Sequence, residues 1–206
     1  MTRRSLTTRE RVAGLRFPIR GRRVLLEPTT SKRVVELVRL LNEPSVSRWT
    51  LHMPYPYREE HAREWVRRTA RNRRAGTSLG LSVVRRSDGR LLGGVGIHHI
   101  EEGGGRGEVG YWIGSEHRGR GYASEAVDLL VRTAFRRLGL HRIEARVFPG
   151  NRASQRVARR AGFRYECRLR DEVKKGGRWR ATLLFSRLPS DRRPGPRRRV
   201  YARRRR

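Results

Sequence analysis

The sequence predicts a mixed α/β (α+β) fold, one twisted and mostly antiparallel sheet of about six or seven strands flanked by about four helices. Three observations point there. Two stretches near the start space their apolar residues as helices do. Strand-like blocks then crowd residues 77–114, joined by turn signals that favour antiparallel hairpins. A strand, a helix and another strand finally succeed one another over residues 106–150, which makes the sheet mixed.

Residues 22–30, RRVLLEPTT, read as a strand leading into a turn. In SKRVVELVRLLNEPSV (31–46), Val34, Leu37, Val38 and Leu41 share one helical face, and Ser31 is placed to cap it. The prolines of MPYPY (53–57) forbid helix, after which Ala62, Trp65, Val66 and Thr69 mark a second amphipathic helix stopping near Gly76. TSLGLSVVRR (77–86) and RLLGGVGIHHI (90–100) are strands separated by the hairpin signal SDG, and RGEVGYWIG (106–114) follows the turn EEGGG. ASEAVDLLVRTAFRRLG (123–139) turns Ala126, Val127, Leu130, Ala134 and Phe135 inward and ends at Gly139. HRIEARVFPG (141–150) alternates as a strand, and NRASQRVARRAGF (151–163) is a short helix closed by Gly162. RYECRLRDEV (164–173) and RWRATLLFSRL (178–188) are the last strands, joined by KKGG, with Cys167 expected in the strand core.

The 206 residues suit one domain, and the formal net charge of +32 comes almost entirely from arginine, since Lys32, Lys174 and Lys175 are the only lysines. Such a charge fits either compositional bias or a polyanionic partner such as RNA. Residues 1–17 form a basic extension and residues 189–206 an arginine-rich tail; both are expected to stay disordered until a partner orders them, leaving 18–188 as the folded domain. The start has no apolar stretch behind its arginines, so it does not read as a secretory signal. No apolar run approaches the roughly 20 residues of a membrane span. The single cysteine excludes an internal disulfide framework and a cysteine-based zinc site. A cytoplasmic protein, monomeric or homodimeric and without a metal, is expected.

The strand 106–114, the turn 115–122 and the following helix form a strand–loop–helix junction, HRGRGYASEA. Gly119 and Gly121 allow close approach of a ligand to the backbone, and the helix start offers unpaired amides and a positive dipole end. Arg118 and Arg120 add charge. Such a junction suits an anion, pyrophosphate above all, and would equally serve as a plain glycine turn. It lacks the lysine and Ser/Thr of a triphosphate-binding loop and the three-glycine dinucleotide fingerprint.

Arg118-x-x-Gly121-x-Ala123 resembles the R/Q-x-x-G-x-G/A signature of the GCN5-related N-acetyltransferases (GNAT). The wider order GYWI, GYASEA, LGLHR, N-x-x-S and GF is similar to the RimJ/RimL-like ribosomal-protein branch, over about Arg22 to Leu188. The resemblance implies the GNAT fold, acetyl-CoA as co-substrate and transfer to an amine. It implies that the amides of Arg118, Gly119, Arg120, Gly121, Tyr122 and Ala123 hold the pyrophosphate. The backbone of Tyr111, Trp112 and Ile113 would pair with the pantetheine arm. Asn151 would bind pantetheine, or serve only as a helix cap, and Ser154 would hydrogen-bond or protonate the departing thiolate. Glu108 would be the general base, or a strand-edge carboxylate paired with an arginine; Glu172 is a second candidate. His98 and His99, alternating on one strand, would face opposite ways. Two positions depart from the family pattern: Ala181 where aspartate is usual, and Phe185 where tyrosine is common.

The implied acceptors are a protein N-terminal α-amine or a small-molecule amine such as a polyamine or antibiotic. The tail would suit ribosome or RNA contact. A non-enzymatic RNA-binding protein on the same scaffold is the alternative from another class.

Overall fold

The structure is a computed structural model, and it describes residues 6–103 and 105–191. Its sheet has eight strands in the order β1-β2-β3-β4-β5-β6-β8-β7. They are β1 (Ile19–Arg20), β2 (Val24–Pro28), β3 (Leu79–Arg85), β4 (Leu91–His98), β5 (Arg106–Ile113), β6 (Arg142–Val147), β7 (Arg164–Lys175) and β8 (Arg178–Arg187). The helices are α1 (Thr8–Ala13), α2 (Val34–Leu41), α3 (Pro44–Ser47), α4 (Glu59–Arg74), α5 (Tyr122–Thr133) and α6 (Arg152–Arg160). Strand β1 and helices α1 and α3 exceed the expected numbers. A two-residue strand has no alternation to read, and α3 is a four-residue turn opened by Pro44.

Every strand pair is antiparallel except β5–β6, the pair that α5 connects. The main core gathers Leu81, Val95, Leu130, Ile143 and Phe185. A second cluster, built on Leu37, Leu41, Ala62 and Leu91, joins α2 and α4 to the sheet. Among the described residues no helix is long and apolar enough to cross a membrane.

Three expectations are corrected. The described part of the first 17 residues is not a free extension, because α1 carries a capping box between Thr7 and Glu10 and sends Val12, 0% exposed, into the main core. One short helix shows too few turns for its period to be legible. Val12→Ala is therefore expected to lower stability by about 2 kcal/mol, measured as a fall in the urea midpoint without a change in slope. Ser31 lies within a 3₁₀ turn, Ser31–Arg33, that precedes α2, and no side chain caps the turn or the helix. Cys167 is exposed. Its strand lies at the sheet edge and, among the described residues, pairs with β8 alone. Phe185 is a fully buried core residue against Tyr165 and Arg159, so its place on β8 is structural. The tail from residue 192 lies outside the described residues.

Candidate active site

Strands β5 and β6 stay paired only from Arg106–Arg142 to Glu108–Glu144. Beyond that point β6 follows β8, and β5 has strand β4 on one side alone among the described residues. The sheet forks, and a cleft of about 1800 Å³ opens in the fork. Tyr111, Trp112 and Ile113 line it along the unpaired edge of β5. A glycine at 94, opposite Trp112 in the β4–β5 pair, leaves room for the indole, since a Cβ there would stand 2.5 Å from Trp112 Nε1.

At the end of β5 the chain passes a 3₁₀ turn, Ser115–His117, and reaches the loop before α5. Gly119 (φ 76°) and Gly121 (φ 82°) both take left-handed backbone, which glycine adopts at little cost. The amides of Gly119, Arg120, Gly121, Tyr122, Ala123 and Ser124 make no backbone hydrogen bond among the described residues; the next, Glu125, donates to Gly121 O. Consecutive free amides ahead of a helix form a concave donor set for an anion. A Cβ on Gly119 would meet nothing within 4 Å, so the concavity is open. The donor set fits a diphosphate.

Arg118 has a different post. Its amide donates to Ser115 O (3.1 Å), its Nε to Ile113 O (3.0 Å) and its Nη1 to Ser45 Oγ (2.8 Å). It ties the loop to β5 and α3. Sequence reasoning missed the brace behind the loop, Arg23. That side chain donates to Glu125 Oε2 (2.9 Å) and to Arg120 O (3.0 Å), and it lies over the Tyr122 ring. Glu125, whose pKa its bonds to Arg23 and to the Val24 amide lower against the opposing effect of burial, also accepts from the Arg23 amide (2.6 Å). The glutamate of GYASEA is the available signal, but its partner stands about a hundred residues away.

Across the fork, Tyr111 Oη lies 2.7 Å from Ser154 Oγ and donates to Ser154 O at 3.1 Å. Burial pushes the Tyr111 hydroxyl up to about 12. Asn151 caps α6, its Oδ1 accepting from the Ser154 amide at 3.0 Å. The cap fixes Ser154 opposite Tyr111.

Where the strands part, Arg146 gathers three carboxylates. It meets Glu108 at 2.8 Å, Glu144 at 3.0 Å and Glu172 at 2.7 Å, and Thr182 donates to the other oxygen of Glu172. Burial raises the pKa of Glu108, and the attraction of Arg146 only partly offsets it. Glu172 arrives through a bulge of β7 between Leu169 and Val173. His98 and His99 do not face opposite ways. Strand β4 ends at His98, His99 turns left-handed (φ 51°), and both line the cleft. His98 Nδ1 sits 3.1 Å from Ser78 Oγ; the ring is open to the cleft, and partial desolvation by the surrounding walls, with His99 and Arg68 nearby, lowers its pKa.

Residues 23–164 match the family model for the acetyltransferase (GNAT) domain. The chain is 31% identical over 169 residues to the Bacillus subtilis (strain 168) protein named "Putative ribosomal N-acetyltransferase YdaF", covering 80% of this chain and 88% of that one. It is 33% identical over 87 residues, 42% of this chain and 45% of the other, to the [ribosomal protein uS5]-alanine N-acetyltransferase of Escherichia coli (strain K12). Among solved structures, Mycobacterium smegmatis RimJ in complex with CoA-disulfide superimposes with a TM-score of 0.75 at 25% identity, over 81% of this chain and 82% of that one. A forked sheet, an open amide loop at its mouth and a family match spanning both agree: the chain belongs to the GNAT acetyltransferase family, in its RimJ/RimL-like branch.

Proposed function

We propose that this acetyltransferase moves the acetyl group of acetyl-CoA directly to the N-terminal α-amine of a protein, of the ribosomal-protein type. The observation that carries the acceptor class is the state of the carboxylates lining the cleft. Of the four carboxylates that line it, Glu64 is paired with Arg67 (3.0 Å), Glu108 and Glu172 share Arg146, and Glu60 alone has no arginine among the described residues, standing 3.8 Å from His61 Nε2. A polyamine needs several unpaired carboxylates, whereas one terminal amine needs a single acceptor for its proton. The volume, about 1800 Å³, also exceeds the roughly 300–1,000 Å³ of a small-molecule pocket and leaves room for a peptide beside the coenzyme. The names of the relatives point the same way.

In this reading the loop amides hold the pyrophosphate, and the free edge of β5 aligns the pantetheine arm. Acetyl-CoA supplies the activated acetyl group. Glu108 takes the proton that the acceptor amine sheds on attack, and Arg146 holds that carboxylate in place. Tyr111, a phenol that is protonated at neutral pH, stands with Ser154 to hydrogen-bond the leaving sulfur and return a proton to it. No enzyme nucleophile is required.

Glu108→Gln is expected to cut kcat by roughly 10²–10⁴-fold on a peptide beginning with alanine. With Glu108 raised above the ordinary carboxylate range, wild-type kcat/KM rises with pH as that group ionises, and the variant loses this acid limb. Acetylation of spermidine or an aminoglycoside in preference to peptides would overturn the acceptor assignment, and an unchanged acid limb would remove Glu108 as base.

A further inference from the structure

Helix α6 leaves the Tyr111–Ser154 pair and runs along the cleft wall toward α5. Its far end is tied there by Arg187, which donates to Ala161 O (2.6 Å) and to Asp128 Oδ1 (3.0 Å), one to two turns into the helix that the amide loop opens. Arg156 and Arg160 stand on this stretch. They are four residues apart, so they share a helical face about 6 Å apart along the axis. Both are exposed and both line the cleft. Arg159, beside them, turns away over the Phe185 ring. Among the described residues no carboxylate lies within ion-pair distance of Arg156 or Arg160. Asp128 is engaged by Arg187 and Arg132. Two guanidinium groups with no ion pair among the described residues therefore line the cleft from α6, the helix that is tied to α5 behind the amide loop.

Coenzyme A carries three phosphates. The diphosphate is matched by main-chain amides, which suit bridging oxygens with spread charge. The third is a monoester on the ribose 3′ carbon, close to a dianion at neutral pH. A compact dianion is the guest that forked guanidinium donors select. We infer that Arg156 and Arg160 form a subsite for the 3′-phosphomonoester of coenzyme A, separate from the amide loop, through which the protein distinguishes the coenzyme from its dephospho form. The inference rests on the coenzyme A reading of the cleft and assigns these two side chains a part that the loop signature does not contain.

Calorimetric titration at near-physiological salt tests it, with coenzyme A and 3′-dephospho-coenzyme A as the probes. The full chain is expected to bind coenzyme A on the order of 10- to 100-fold more tightly than the dephospho form. In the double variant Arg156→Gln/Arg160→Gln that ratio falls to within about twofold of unity, with affinity for the dephospho form unchanged. Arg152→Gln is the control for the general positive field, because Arg152 is exposed on the same helix but does not line the cleft; it leaves the ratio intact. The inference is overturned if the wild-type chain fails to discriminate, if the double variant keeps the ratio, or if Arg152→Gln lowers it equally. Binding of neither probe to the wild-type chain would instead overturn the coenzyme A reading itself, so the two failures are distinct. Thermal unfolding of each variant shows that a lost ratio is not a lost fold.

Discussion

Gly121→Val is expected to weaken coenzyme A binding by two orders of magnitude or more. Gly121 is the N-cap of α5 at φ 82°, ψ 4°. In this region an ordinary residue is disfavoured by roughly 1–2 kcal/mol, and a β-branched one by more. The strain relaxes if φ turns negative, and that rotation swings the neighbouring amides out of the concavity. The new side chain also meets the brace, since a Cβ at 121 stands 3.2 Å from Arg23 Nη2. Losing two charge-assisted hydrogen bonds, each worth about 1.5–3 kcal/mol, reduces affinity by at least about 100-fold. Gly121→Asn separates conformation from bulk, because asparagine tolerates the left-handed region. It is expected to keep affinity within about tenfold, allowing less than about 1.4 kcal/mol for the milder strain. Calorimetry on both variants decides the matter. Wild-type affinity in the valine variant would show that the phosphates bind elsewhere.

That loop is the most legible part of the chain because its chemistry is local. Glycine spacing, a preceding strand and a following amphipathic helix lie within about thirty residues, and each has its own sequence signal. Helix faces are legible for the same reason, and Ala62, Thr69, Val127 and Leu130 are buried as their spacing requires. What depends on pairing across the sheet is not. Arg146 stands between Glu108 and Glu172 only because β5 and β6 match Glu108 with Glu144 and because a bulge redirects β7. Tyr111 reads in the sequence as a donor of backbone alone, yet its hydroxyl meets a serine on a helix that the fork places opposite. Cys167 sits in a strand of ordinary pattern, and its exposure follows from that strand's rank at the edge, a property of topology. His99 shows the limit from the other side. One left-handed residue ends the alternation and changes which cavity a side chain serves.

Asp128→Ala is expected to destabilise the protein more than the loss of any of its exposed ion pairs. Arg187 is 5% exposed, and its Nη1 donates to Asp128 Oδ1 (3.0 Å) and Ala161 O (2.6 Å). The contact joins α5, the end of α6 and the last residue of β8, and Arg187 Nε already lacks an acceptor among the described residues. Removing the carboxylate leaves a buried cation held by one carbonyl. Breaking such a pair from one side costs about 3–5 kcal/mol, which for a chain of this size lowers Tm by roughly 6–20 °C. Arg132 is the internal comparison. It reaches Asp128 at 3.2 Å from a position that is 38% exposed, where a pair is screened, so Arg132→Ala is expected to cost less than about 1 kcal/mol. The double exchange Asp128→Leu/Arg187→Met removes both charges together and should recover much of the loss, because the penalty lies in the uncompensated ion more than in the missing attraction. Equal melting temperatures for Asp128→Ala and Arg132→Ala would place the stabilisation of this junction in its apolar packing, and the Arg187 pair would then be incidental to it.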